Sequence, residues 1–142
     1  MYKFADILKD LIDDIGFSLR KLASESNVSA VQYSKYLRGA YPTIQVAVRI
    51  ADYFDVSLDY LFGITDNKSH KPFKQFNLSV FLDRYAKARN KANISHWKLS
   101  QKTELSESAL RHWKNGDVPS VESLIIIATN LSTSIDYLVG RY

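Results

Sequence analysis

Three kinds of residue in this 142-residue chain have side chains able to act on another molecule. The first is a carboxylate next to a phenol, in Asp59-Tyr60 and again in Asp136-Tyr137. Such a pair could pass a proton. Each lies inside a near-identical stretch, SLDYLFG from Ser57 to Gly63 and SIDYLVG from Ser134 to Gly140. A serine two residues before the aspartate and a glycine after the apolar pair are the N-cap and stop of a short helix, with the aspartate facing its positive end. Capping and core packing account for the spacing, with the tyrosine and leucine packed inward. The second kind is histidine. His70, His96 and His112 are too far apart and lack the supporting carboxylates of a metal site. The third is a set of lysines and arginines on segments of helical period, which can meet phosphates or base edges. No glycine-rich phosphate loop is present. These residues point away from an enzyme and towards binding, with no metal and no cofactor.

Composition agrees with that reading. A hydrophobic share of 46% and a charged share of 24% are those of an ordinary globular chain able to bury a core. With no cysteine there is neither a disulfide framework nor a thiolate site. The longest apolar run near the C-terminus, Leu124 to Ala128, falls far short of the roughly 20 residues that span a bilayer. Asp6, Asp10, Asp13 and Asp14 interrupt the apolar pattern near the start, which is unlike a secretory signal. A cytoplasmic protein with no membrane partner is expected. The net charge of +4 and pI near 9.2 favour an acidic partner. That excess is uneven: residues 1–65 hold seven Lys and Arg against eight Asp and Glu, and residues 78–142 hold nine against six.

The two near-identical stretches are 77 residues apart, and the same offset, without a gap, pairs Phe4 with Phe81, Asp6 with Asp83, Leu22 with Leu99, Gly39 with Gly116 and Pro42 with Pro119. One unit has been duplicated. A period of 77 with two copies does not make a solenoid, so each copy is expected to be a small domain of its own, 1–65 and 78–142, with a linker over 66–77. Within a copy the apolar period is helical throughout. Phe4, Ile7, Leu8, Leu11, Ile12 and Ile15 form one stripe, and Ile44, Ala47, Val48, Ile50, Ala51 and Phe54 another. Ser18 and Ser95 are read as caps of a second helix, and Ser29 and Ser106 as caps of a third that Gly39 and Gly116 end. Thr43 and Ser120 open a fourth helix, and the repeated stretch is the fifth. The predicted class is all-α, two tandem five-helix domains.

Five short helices in about 60 residues, carrying Leu22-Ala23, Asn27-Val28-Ser29, Gly39, Pro42 and Val56 to Leu61, resemble the lambda repressor and Cro type of helix-turn-helix domain, the XRE family. The second copy keeps the skeleton in Leu99, Leu105-Ser106, Trp113, Gly116, Pro119, Ile127-Ala128 and Ser134 to Gly140. The resemblance covers about nine-tenths of the chain. It implies a transcriptional regulator, a repressor, that binds double-stranded DNA with its third helix in the major groove.

Helical period sorts that third helix into two faces. In SAVQYSKYLRG, Val28, Tyr33, Tyr36 and Leu37 turn inward, which leaves Ala30, Val31, Gln32, Lys35 and Arg38 outward. In SESALRHWKNG, Leu105, Ala109, Leu110 and Trp113 turn inward, and Glu107, Ser108, Arg111, His112, Lys114 and Asn115 outward. The resemblance places the first of these residues at base edges. Ala30 and Val31 suit a thymine methyl, Gln32 an adenine, and Glu107 a cytosine amine. Lys35, Arg38 and Arg111 offer charge to bases or phosphates, the second-helix starts at Ser18 and Ser95 can each receive a phosphate, and Ser29 and Ser106, at the third-helix starts, are counted among the DNA contacts. The family commonly has a glutamine at the second position of the second helix, where it helps hold the backbone. His96 stands there in the second copy and Leu19 in the first.

Other departures divide the copies. The family commonly pairs an arginine late in the first helix with a glutamate before the glycine that ends the third. Those places hold Ile12 with Leu37, and Arg89 with Lys114, two cations that should repel each other unless one meets a phosphate. Two arrangements follow. Either both copies read DNA, as two unlike half-sites spanned by a linker of up to about 40 Å, or the second copy reads DNA while the first binds protein, as a homodimer contact or by capture of another regulator. A module in which neither copy touches DNA is the third alternative.

Overall fold

The structure, a computed structural model, describes residues 4–68 and 73–142. Backbone contacts divide it into two units, Met1–Pro72 and Phe73–Tyr142. The first holds α1 (Phe4–Ile15), α2 (Leu19–Ser26), α3 (Ala30–Leu37), α4 (Ile44–Phe54) and α5 (Leu58–Leu61). The second opens with a 3-10 turn at Leu78–Val80 and continues through α6 (Phe81–Ala92), α7 (His96–Lys102), α8 (Ala109–Lys114), α9 (Val121–Leu131) and α10 (Ile135–Leu138). Among the described residues there is no strand, and the all-α, twice five-helix expectation holds.

Capping residues decide where seven of these helices begin. Ser18, Ser29, Thr43 and Ser57 in the first unit, and Ser95, Ser120 and Ser134 in the second, each accept from the backbone N–H three residues on. This satisfies one of the donors a helix start leaves open. Ser106 departs from the expectation. Its chain first makes a turn, with Ala109 N donating to Ser106 O at 3.2 Å, and α8 begins only at Ala109, so it is six residues long where α3 has eight. Four helices stop on residues not picked out by composition: Asn27, Asp55, Asn93 and Ser132 all adopt left-handed backbone. Gly140 is needed for a second reason besides its φ of +84°, since a Cβ there would lie 2.8 Å from the Asn77 carbonyl oxygen.

Each unit closes over its own core. Leu8, Leu22, Tyr33, Ile44, Ile50, Leu58 and Leu61 are fully enclosed in the first, and Tyr85, Leu99, Leu124, Ile127, Ile135 and Leu138 in the second. Rings supplement both: Phe4 packs with Tyr36, Tyr41 and Phe62, and Phe81 with Tyr85 and Trp113. The stripes expected along α1 and α4 are buried, with Ile15 and Phe54 half-buried at their ends.

The segment read as a linker is largely bonded where it is described. Lys68 O accepts from Ser57 N at 2.6 Å, Lys74 N donates to Arg141 O at 2.7 Å, and Asn77 N donates to Val139 O at 2.8 Å. Its middle, 69–72, lies outside the described residues, and His70 with it. Asp136 behaves differently from Asp59. It is buried against Arg141, whose guanidinium donates to its carboxylate and lies over the Phe73 ring. The position equivalent to Arg141 in the first unit is Ile64, and Asp59 is only half-buried. Around Asp136 an ion pair is added to the Ser134 cap.

Candidate nucleic-acid interface

In each unit the third helix is set by the turn before it. In the first, Ser29 Oγ accepts from Gln32 N at 3.1 Å, and Gln32 Oε1 accepts from Ser29 N at 3.0 Å. This reciprocal cap anchors the start of α3. It also occupies the oxygen that Gln32 would need to pair with adenine through two hydrogen bonds. Gln32 is therefore a cap before it is a base contact. Tyr33 and Tyr36 fill the core as their spacing required, with Tyr33 bonded to Ser26 Oγ at 2.6 Å. Burial raises the pKa of both phenols, most directly by withholding water from the phenolate. Ala30 is half-buried, whereas Val31, Lys35 and Arg38 are exposed, Val31 at 65%.

The second unit sets its turn from within. His96, which stands where the family's backbone-holding glutamine would be, is 7% exposed. Its Nε2 faces the carbonyl oxygens of Ser106 and Glu107, each at 3.1 Å, and since a carbonyl can only accept, Nε2 donates. Its Nδ1 meets the Tyr85 hydroxyl at 2.6 Å. One ring thus ties α6, through Tyr85, to the two residues that lead into α8, and His96 cannot also lie against DNA. The reason is a paired change between the copies. Leu8 and Leu19 of the first unit become Tyr85 and His96, so the hydroxyl that enters the core finds a ring nitrogen there. Burial pushes the Tyr85 pKa up to about 12, against a smaller opposing pull from Arg89.

With that turn held, Ser106 Oγ lies 2.9 Å from Ser108 Oγ and accepts from Ser108 N at 3.2 Å. Ser106, Glu107, Arg111, His112, Lys114 and Asn115 are exposed and Ser108 is half-buried. His112 Nδ1 is 3.5 Å from an Asp117 carboxylate oxygen. Ser18 and Ser95 stand exposed at the starts of α2 and α7. Two neighbours were not marked by sequence reasoning. Trp97, 56% exposed, and Lys98 follow directly on the Ser95 cap, and this place beside a helix start was the available signal.

Equivalent positions beside the third helices differ in kind. In the first unit, Ile12, Leu19 and Leu37 form the floor of a groove of about 400 Å³, completed by Ala5, Asp6, Lys9 and Asp13. Lys9 Nζ donates to Asp13 at 2.7 Å. In the second unit those three apolar places are Arg89, His96 and Lys114, and Asp13 is matched by Asn90. Here Arg89, Asn90, Asn93, Ile94 and Ser95 line a smaller, polar depression of about 310 Å³. Arg89 does not simply confront Lys114 as the sequence suggested. Its guanidinium lies over the Tyr85 ring, 4.6 Å from the centroid.

Among the described residues no group of His, Asp and Glu is arranged to hold a metal ion, and no helix is long and apolar enough to cross a membrane. A family model described as helix-turn-helix matches residues 8–61 and again 86–138. No curated protein and no solved structure matches the chain.

Proposed function

Because the chain belongs to the XRE-type helix-turn-helix family, in two tandem copies, and is a DNA-binding regulator of that type, we propose that it is a repressor in which the second unit reads a specific double-stranded site. Residues 1–65 and 78–142 form its two domains. α8 enters the major groove with Glu107 and Ser108 leading, while Arg111, Lys114 and Asn115 meet bases or phosphates further along. Ser95 and Arg89 add phosphate contacts from neighbouring elements. Occupying the site blocks other proteins from it, which is repression in its simplest form. A cysteine-free chain suits the reducing cytoplasm.

The observation that carries this assignment is the contrast at equivalent positions. Arg89 stands beside α8 and Lys114 at its end, where the same places beside and at the end of α3 hold Ile12 and Leu37, with Asp13 at the edge. Phosphate is attracted to the first and repelled by the second. A tandem reading, in which α3 also lies on DNA, is favoured by the exposed cations Lys35, Arg38 and Arg20.

Selection of bound sequences from random duplexes, followed by titration of the selected duplex at several salt concentrations, separates the two. Arg111→Ala should weaken binding and lower the slope of log K against log salt by about one unit. Lys35→Ala should leave the slope unchanged. A fall in both slopes, together with two unlike half-sites, would establish the tandem reader. A wild-type chain that enriches no sequence would refute the DNA reading.

A further inference from the structure

The groove on α1, α2 and α3 has chemistry that DNA reading leaves unused. Its floor is aliphatic, with Ile12 from α1, Leu19 from the start of α2 and Leu37 from the end of α3, and Ala5 extends it. Leu19 and Leu37 are half-buried, so they keep surface that a ligand can still cover. A volume of about 400 Å³ lies within the range of sites that take small ligands or a few side chains. The rim is acidic. Asp6 and Asp13 line it against a single Lys9, which bonds Asp13 and leaves the lining net negative, and Asp10 and Asp14 lie exposed on the same helix.

Charge selects the occupant. Phosphate is repelled by this rim. A second copy presenting the same groove would set one net acidic rim against another, which like charge disfavours. A segment that is apolar at its centre and cationic at its edges complements both features. The duplication strengthens the case, because at the same positions the second unit carries Arg89, His96 and Lys114. The same scaffold therefore carries one surface suited to anions and another suited to a cationic, apolar ligand.

We propose that this groove docks a cationic amphipathic segment of a partner protein, with its apolar side chains on Ile12, Leu19 and Leu37 and its Lys or Arg side chains beside Asp6 and Asp13. This builds on the assignment of DNA reading to the second unit but does not need it, because every residue of the groove belongs to the first unit. It makes the first unit the point at which another protein reaches the regulator.

The test uses the full chain as bait for a display library of random linear peptides, with counter-selection against Leu19→Lys. Recovered peptides are then titrated by fluorescence anisotropy against the wild type, Leu19→Lys, and the double variant Asp6→Asn with Asp13→Asn. The proposal expects peptides with apolar residues at helical spacing flanked by Lys or Arg. Leu19→Lys should weaken them about tenfold or more, and the double Asn variant several-fold with a flatter salt dependence. Shifts of the Ile12 and Leu37 methyl resonances on peptide addition would place the segment on the floor. Should circular dichroism show Leu19→Lys unfolded, the double Asn variant, which keeps the aliphatic floor, decides alone. Acidic peptides, equal affinity for all three chains, or no enrichment would overturn the proposal. So would protection of the Leu19 and Leu37 methyls by the selected duplex, which would make the groove a DNA surface. Loss of sequence-selective DNA binding with peptide docking intact would refute the DNA reading alone.

Discussion

Replacing His96 by alanine probes the least expected feature of the second unit. The ring joins Tyr85 on α6 to the Ser106 and Glu107 carbonyls, and it packs edge-on to Tyr85 and Trp113, with centroids 5.8 and 6.0 Å away. In His96→Ala the two carbonyls can turn to water, because Ser106 and Glu107 are exposed. The Tyr85 hydroxyl cannot, since that residue is fully buried. Leaving it without a partner costs about 1–3 kcal/mol, and the lost ring contacts about 1 kcal/mol more. A total of about 2–4 kcal/mol in a unit of this size lowers its midpoint by roughly 10–25 °C. Scanning calorimetry of the full chain measures this directly, and the transition of the first unit serves as internal reference. Pairing His96→Ala with Tyr85→Phe isolates the hydrogen bond, because the double variant should cost less than the two single changes added together. His96→Gln, which can still reach one partner, should recover part of the loss. A cost under about 0.5 kcal/mol for His96→Ala, or strict additivity with Tyr85→Phe, would refute the assigned role.

Tyr85 also predicts an alkaline signature. Its pKa is raised in the folded unit to about 12, above the value near 10 of an exposed phenol, so its contribution is present below pH 10 and is lost as pH rises towards 12. Chemical denaturation across that window should show the second unit losing on the order of 2 kcal/mol that Tyr85→Phe does not lose. Arg141→Ile copies the residue of the first unit but removes the guanidinium that donates to the buried Asp136 carboxylate, and should cost about 3–5 kcal/mol. Adding Asp136→Asn should return much of that, and calorimetry that finds Arg141→Ile as stable as the wild type would show that the pair contributes nothing.

Much of this architecture was legible because short-range rules control it. The 77-residue offset runs without a gap, so one unit's reading checks the other's. Serine and threonine caps act through the backbone N–H three residues on, a distance set by helix geometry alone, and seven of the eight named caps work as expected. Ser106 failed because a local alternative won. With Ser108 beside it, the hydroxyl serves a two-residue turn instead of a helix start. The left-handed stops at Asp55 and Ser132 escaped notice because neither residue type is a strong helix terminator.

The outward face of α8 and the inward stripe of α3 follow from period, whereas the direction taken by His96 does not. At the first position of α7 the backbone lets a side chain face solvent or fold back under the helix. The choice depends on what α6 presents eleven residues earlier and on the carbonyls that the next turn brings within reach. The Asp136 to Arg141 pair and the groove of Ile12, Leu19 and Leu37 are of the same kind, since three helices or a returning chain end must assemble before the chemistry exists. Sequence by itself determined the duplication, the helices, their caps and the family, because those depend on neighbours a few residues apart. Tertiary structure alone decided which polar side chains are core struts and which are contacts. Burial and partnership are properties of residues far apart in the chain and close in space.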